Sequence, residues 1–172
     1  LQSVSLVGHS MGGHVVMVAA AMRPEQVKRL VLVDSIGIPF HCSVLRLVYP
    51  ALKAIVRTTP AFWPCIAYDY LRAGPAMVWK AGRQCAELDE LSALSFIHVP
   101  TLLIWGSEDN LIPLASGRQL HEHITGSRLV VLPKANHFCM FEQPENFNRN
   151  LLSFLQGQEV GSPAVISSFS TR

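Results

Sequence analysis

The chain has 172 residues, 49% of them hydrophobic and 15% charged, and its formal net charge is +2. This composition predicts one globular unit with enough apolar surface to build a core, and it excludes a disordered chain. The small net charge, with no basic run and no glycine-rich phosphate loop, argues against nucleic-acid binding, and no apolar stretch reaches the length of a membrane span without interruption.

The first predicted elements are a short strand, a sharp turn and a helix. β-Branched and apolar residues over 3–7 indicate the strand, and the apolar run over 13–22 indicates a helix that is buried on every side. Between them, residues 8–12 form the sequence G-x-S-x-G. At a strand-to-helix turn this sequence pushes the hydroxyl of Ser10 into the open, and the flanking glycines leave room for the tight backbone. The alternative is an ordinary turn serine.

A helix that begins just after Ser10 has consequences for chemistry at that serine. Its first backbone N–H groups have no partner within the helix, so the N–H of Met11 is a candidate donor to a developing oxyanion. His9 lies too close to the serine in sequence to approach its hydroxyl in the direction that a base requires. We therefore take His9 as a candidate substrate contact.

Residues 29–34 are predicted to form the next strand of a parallel sheet, and the stretch after them departs from regular alternation of strand and helix. Apolar residues from 44 to 56 recur at helical spacing, with Pro50 as a predicted kink or break. The part of the chain that follows is its most aromatic one, and aromatic side chains can line an apolar acyl pocket or simply pack between helices. The candidate substrate-binding side chains there are Phe62, Trp63 and Trp79.

Two later strands end in loops that carry an acid and a histidine. Residues 101–106 are predicted to form a buried strand followed by Asp109, and residues 128–132 a second strand followed by His137. A neutral serine hydroxyl is a poor nucleophile, so it needs a base to take its proton and an acid to orient that base. We interpret His137 as the base and Asp109 as the acid. Glu108 is a rival for the acid, and helix capping is the alternative role of Asp109.

With these residues the chain resembles the carboxyl-terminal part of the α/β-hydrolase superfamily, serine hydrolases whose triad runs in the order serine, acid, histidine. Residues 106–113 are similar to the acid loop of that family, G-x-x-D-x-x-x-P. Residues 137–144 are similar to its histidine loop, H-x-x-x-x-E-x-P. Many relatives have a glycine before that histidine, where this chain has Asn136.

The resemblance implies an α/β fold with a mostly parallel sheet flanked by helices and a helical cap insertion. It divides the chain into hydrolase core over 1–38 and 98–156, with the cap over 39–97. Residues 157–172 are polar and show no periodicity, which predicts a flexible tail.

In this family the nucleophile follows about the fifth strand of eight. The earlier strands, and the loop that supplies the second oxyanion N–H, have no counterpart in this sequence. The resemblance therefore implies that the amino-terminal strands are absent from this chain and that the sheet edge along residues 3–7 is unpaired. A mean hydropathy of +0.29 agrees with apolar surfaces meant to be covered. An inactive fragment is thus one alternative.

The implied function is that of a serine hydrolase that cleaves a carboxylic ester or a similarly activated acyl bond of a small apolar substrate through an acyl-enzyme, without a cofactor. A small-molecule receptor on the same fold is the other alternative.

No metal-ligand spacing is present in the sequence. Four scattered cysteines indicate a reducing compartment, and we expect the cytoplasm. The sequence leaves the oligomeric state open.

Overall fold

A computed structural model describes residues 3–38, 44–58, 60–87, 94–160 and 165–167. The described residues form a five-stranded sheet. Its strands, in spatial order, are β1 (Val4–His9), β2 (Val27–Val33), β3 (Thr101–Gly106), β4 (Arg128–Leu132) and β5 (Val165–Ser167). β1 to β4 are parallel, and β5 pairs antiparallel to β4. The predicted α/β fold with a mostly parallel sheet is confirmed.

The helices lie between and after these strands. They are α1 (Met11–Met22), α2 (Val44–Arg57), α3 (Trp63–Ala73), α4 (Pro75–Glu87), α5 (Leu114–His123), α6 (Cys139–Glu142) and α7 (Pro144–Leu155). α2, α3 and α4 fall in the predicted cap over 39–97, of which residues 39–43, 59 and 88–93 lie outside the described residues. The predicted break at Pro50 is wrong, since α2 continues through it. In the described part of the chain, every helix is too short or too polar for a membrane span.

The parallel strands are apolar on both faces because helices cover both sides of the sheet. Leu30, Leu32 and Trp105 pack on the side of α1 and α5. Val31 and Val33 alternate with the leucines and pack on the other side, against side chains of α7. Two apolar layers therefore hold the strands in register and fix the positions of the loops at their ends.

The prediction of an α1 buried on every side is wrong. Its buried residues are Gly13, Met17 and Ala20, whereas Val15 is 62% exposed. The helix packs on the sheet through one face, and the described elements cover only that face. An apolar sequence alone does not specify how many neighbours surround a helix.

The residues after α7 differ from the flexible tail that the sequence predicts. Val160 is buried among the side chains on the α7 side of the sheet. Val165–Ser167 then pair with β4 as β5, because the outer edge of β4 offers unpaired backbone groups to an extended chain. Residues 161–164 and 168–172 lie outside the described residues.

Candidate active site

The loops at the carboxyl ends of the parallel strands carry the predicted catalytic residues. His9 pairs with Val33 at the ends of β1 and β2, and Gly106 pairs with Leu132 at the ends of β3 and β4. The loops that follow these residues therefore leave the sheet at one edge. In open parallel sheets this edge is where ligands bind.

The turn after β1 holds Ser10 in a rare backbone conformation, with φ of 54° and ψ of −124°. Its N–H donates to the carbonyl of Val33 at 3.0 Å, and its carbonyl accepts from the N–H groups of Gly13 at 3.0 Å and Ile36 at 3.2 Å. A left-handed φ is costly for a residue with a side chain and persists only where the surroundings enforce it. The hydrogen bonds to the next strand and helix supply that constraint.

The glycines around the serine have different roles. A Cβ atom on Gly8 would lie 2.5 Å from the carbonyl oxygen of Gly12 and from Cγ2 of Val16. A Cβ atom on Gly13, outside the pentapeptide, would collide with Oγ of Ser35. One on Gly12 would meet no described atom within 4 Å. The expectation that both flanking glycines provide room therefore applies to Gly8 and is wrong for Gly12.

The structure brings Ser10, His137 and Asp109 into one hydrogen-bonded chain. Nδ1 of His137 lies 2.8 Å from Oδ2 of Asp109, and Nε2 lies 3.1 Å from Oγ of Ser10. The side chains of His137 and Asp109 are 3% and 0% exposed. A carboxylate only accepts hydrogen bonds, so Nδ1 carries the ring proton and Nε2 is free to accept the proton of the serine.

The acid loop presents one carboxylate oxygen to the histidine and holds the other in place. Oδ1 of Asp109 accepts the N–H groups of Leu111 at 2.7 Å and Ile112 at 2.9 Å, which leaves Oδ2 for His137. The rival acid Glu108 points away from the serine toward Arg57, to which it is bonded at 2.9 Å. The geometry therefore favours Asp109 as the orienting acid.

Asn136, which replaces the glycine of many relatives, is fully buried and connects the two loops. Its side-chain Oδ1 accepts the N–H of His137 at 2.7 Å and that of Asn110 at 3.3 Å. Its own N–H donates to Oε2 of Glu142 at 2.6 Å. The side chain of Asn136 thus joins the acid loop to the histidine loop, a role that a glycine at this position could not have.

His9, the candidate substrate contact, is bonded to the histidine loop. Its Nε2 lies 2.8 Å from the carbonyl oxygen of His137, which only accepts, so Nε2 carries the proton. Burial and the neighbouring His137 lower the pKa of His9 to about 4. The His9 ring is therefore neutral near pH 7 and positions the loop; a contact with substrate remains a prediction.

Met11 is the first residue of α1, so its N–H has no acceptor within the helix. Its position directly after Ser10 is the one that an oxyanion donor requires. The role remains a prediction, supported by the helix dipole, whose positive end stabilises negative charge here.

Of the three aromatic residues predicted to bind substrate, Phe62 lies beside the histidine loop, and the two tryptophans are exposed. The ring of Phe62 lies 4.1 Å from that of Phe141 and 5.9 Å from that of Phe138, which is adjacent to His137. Trp63 and Trp79 are exposed, and Nε1 of Trp63 donates to the carbonyl of Ile55 within the cap segment. Phe62 is thus placed beside the histidine loop, whereas substrate binding by the two tryptophans stays a prediction.

Sequence analysis missed Asp34, which follows β2 and is fully buried next to the acid loop. Its φ is 41°, and its Oδ1 accepts the N–H of Gly106 at 2.8 Å. Burial and the nearby Asp109 raise the pKa of Asp34 well above its usual range. Its Oδ2 has no donor among the described residues. Burial therefore favours the neutral form of this carboxyl. An aspartate that ends a buried strand is the sequence signal that points to it.

We expect Asp34→Asn to stabilise the protein increasingly as the pH rises. The amide keeps an acceptor for the N–H of Gly106 and cannot ionise. Because the folded state raises the pKa of Asp34, wild-type stability is full below the unfolded-state pKa, near 3.9, and falls as the pH rises above it. Thermal unfolding should show a variant Tm several degrees above wild type at about pH 8 and little difference at about pH 4. A difference that is independent of pH would contradict a raised pKa of Asp34 in the folded state.

Cys139, near the base, is buried, and burial raises the pKa of its thiol well above the usual range. Its side chain packs in the apolar cluster between the sheet and α7, and burial disfavours the reactive thiolate. Among the described residues, no group of three or more His, Cys, Asp and Glu side chains is placed to hold a metal ion.

The sequence of this chain is similar to those of known hydrolases. The profile of the alpha/beta hydrolase family matches residues 1–150. The chain is 28% identical over 177 residues to a pimeloyl-[acyl-carrier protein] methyl ester esterase of Neisseria meningitidis, covering 88% of this chain and 69% of that protein. It is 26% identical over 185 residues to 2-hydroxy-6-oxononadienedioate/2-hydroxy-6-oxononatrienedioate hydrolase 1 of Pseudomonas putida, covering 90% of this chain and 64% of that protein.

A solved structure shows the same fold. An esterase from Exiguobacterium antarcticum superposes with a TM-score of 0.77 at 23% identity, over 91% of this chain and 68% of that one. The chain spans 69% of the length of the first of these curated relatives and 64% of the second, and 55% of others that it matches. With the family profile matched over residues 1–150, the chain belongs to the alpha/beta hydrolase family.

Proposed function

We propose that this protein is a serine hydrolase that cleaves a carboxylic ester or a similarly activated acyl bond of a small, apolar substrate. The observation that carries the proposal is the hydrogen-bonded chain from Asp109 through His137 to Ser10, at 2.8 Å and 3.1 Å. An oriented base within hydrogen-bond reach of a serine hydroxyl is the arrangement that activates a nucleophile.

In the proposed reaction, Oγ of Ser10 attacks the substrate carbonyl carbon while Nε2 of His137 takes the hydroxyl proton. The N–H of Met11 stabilises the resulting oxyanion. Collapse breaks the bond to the leaving group, which receives that proton from His137 and departs as an alcohol. His137 then takes a proton from water, whose oxygen attacks the acyl carbon. The bond from that carbon to Oγ of Ser10 breaks, the carboxylic acid is released, and His137 returns the proton to Oγ. Asp109 keeps the ring in the required tautomer and stabilises the imidazolium.

Two observations support an apolar ester as the substrate. Phe62 and Phe138 pack edge to face beside the catalytic histidine, and this pair offers an apolar surface for an acyl chain. A relative of this chain is named as a methyl ester esterase.

The free thiols of Cys65 and Cys139 support our placement of the protein in the cytoplasm.

Burst kinetics with p-nitrophenyl acyl esters test this function. We expect a burst of about one p-nitrophenol per chain, followed by steady turnover, because acylation precedes hydrolysis of the acyl-enzyme. A burst without further turnover would support a receptor that consumes one ligand. The absence of both phases in a folded, full-length protein would contradict the proposal.

A further inference from the structure

Arg57, the last residue of α2, reaches from the cap segment to both loops that carry the triad. Its Nη1 donates to Oε2 of Glu108 at 2.9 Å, in the acid loop. Its Nη2 donates to the carbonyl of Lys134 at 3.1 Å, in the histidine loop. Its Nε lies 3.8 Å from Oε1 of Glu142, the glutamate of the histidine-loop motif over 137–144. One planar guanidinium therefore contacts both loops at once.

The two loops are also bonded directly to each other where Arg57 contacts them. The N–H of Glu108 donates to the carbonyl of Ala135, and the N–H of Lys134 donates to Oγ of Ser107, each at 2.8 Å. Lys134 has a φ of 61°, a left-handed conformation that is costly for a residue with a side chain. A hydrogen bond from the guanidinium to its carbonyl helps to hold that conformation.

A path of contacts leads from Arg57 to the base. The carboxylate of Glu142 faces the guanidinium with Oε1, and its Oε2 accepts the N–H of Asn136 at 2.6 Å. The side chain of Asn136 in turn accepts the N–H of His137 at 2.7 Å. Oε1 of Glu142 is buried and has no hydrogen bond among the described residues, and the guanidinium of Arg57 faces it.

We propose that Arg57 is a positioning residue that couples the seating of α2 to the order of the acid and histidine loops. This inference rests on the proposed function, since it assigns Arg57 to the triad of that reaction. When α2 is in place, the guanidinium holds Glu108, Lys134 and Glu142 together, and the imidazole of His137 is kept on line between Ser10 and Asp109. Arg57 touches no reacting atom.

The ion pair between Arg57 and Glu108 is partly exposed to solvent. The side chains of Arg57 and Glu108 are 34% and 47% exposed, and exposed ion pairs contribute little to global stability. Salt also screens such pairs over a Debye length of about 10 Å at 0.1 M. Loss of Arg57 should therefore change the reactivity of Ser10 far more than it changes the unfolding temperature.

The test is the second-order rate at which a fluorophosphonate labels Ser10 in the full-length protein, with kcat and KM for a p-nitrophenyl ester. We expect Arg57→Gln to lower the labelling rate and kcat about tenfold and to leave KM unchanged, because general acid–base catalysis depends on the alignment of His137. We expect Arg57→Lys to recover part of the rate, since an ammonium keeps the charge but not the two-pronged geometry. Added salt should slow wild type and leave Arg57→Gln unaffected.

Arg72→Gln is the matched control, because Arg72 lies on α3 and bonds only weakly to Tyr68, at 3.4 Å. It should label at the wild-type rate. Equal rates for wild type and Arg57→Gln would overturn the positioning role and leave the proposed function intact, as would a slower rate matched by an equal loss of folded protein. If Arg57→Gln does not fold, the salt response of wild type and the rate of Arg57→Lys decide. A folded wild type that is not labelled at Ser10 would overturn the proposed function itself.

Discussion

We expect Ser10→Ala to lower kcat for ester hydrolysis by about 10⁵- to 10⁶-fold, the loss that accompanies removal of a triad nucleophile. The substitution removes Oγ, which lies 3.1 Å from Nε2 of His137, and leaves no atom there to attack a carbonyl carbon. Because alanine and serine both carry a Cβ atom, the left-handed backbone of residue 10 gains no new strain. The residual rate would come from the remaining oxyanion donor and from binding.

Steady-state kinetics with p-nitrophenyl esters in the full-length protein measure this loss. Ser116→Ala on α5 is the matched control, since it deletes the same hydroxyl from a helix that carries no triad residue. We expect it to keep the wild-type kcat. A Ser10→Ala variant that retains more than about one per cent of the activity would show that another group is the nucleophile.

The second large effect is expected from Asp109→Asn, with a loss in kcat of about 10⁴-fold. The backbone N–H groups of Leu111 and Ile112 both point at Oδ1, so the asparagine must keep its carbonyl oxygen on them. Its NH₂ group then faces Nδ1 of His137, which has to become an acceptor. The ring proton moves to Nε2, where it prevents the base from taking the proton of Ser10.

Asp69→Asn is the control for this change, because Asp69 is exposed on α3. We expect that variant to have normal kcat and Asp109→Asn to keep its unfolding temperature within a few degrees. If Asp109→Asn lost less than about tenfold, the orienting acid would have to be sought elsewhere, with Glu108 as the first candidate.

Local sequence patterns predict the parallel strands to within two residues of their observed bounds. Continuous apolar runs over 102–105 and 129–132 predict the strands over 101–106 and 128–132, and the structure assigns strands over those ranges. Ser10, Asp109 and His137 follow from motifs at the ends of such strands. The strand ends and their order along the chain therefore bring these three residues together.

Contacts between distant parts of the chain are what the sequence does not predict. Asp34 meets the backbone of Gly106, and the ring of His9 meets the carbonyl of His137, through the fold rather than through any motif. Likewise, nothing local to Arg57 indicates Glu142 as its partner. The exposed outer face of α1 is a similar case, because burial depends on which other elements pack nearby.

The measurement that tests the triad most directly is mass spectrometry of the full-length protein after reaction with a fluorophosphonate. We predict one adduct per chain, located by peptide mapping on Ser10, and no adduct on Ser10→Ala. An adduct on another residue, or none on a folded and otherwise intact protein, would contradict the assignment of Ser10 as the nucleophile.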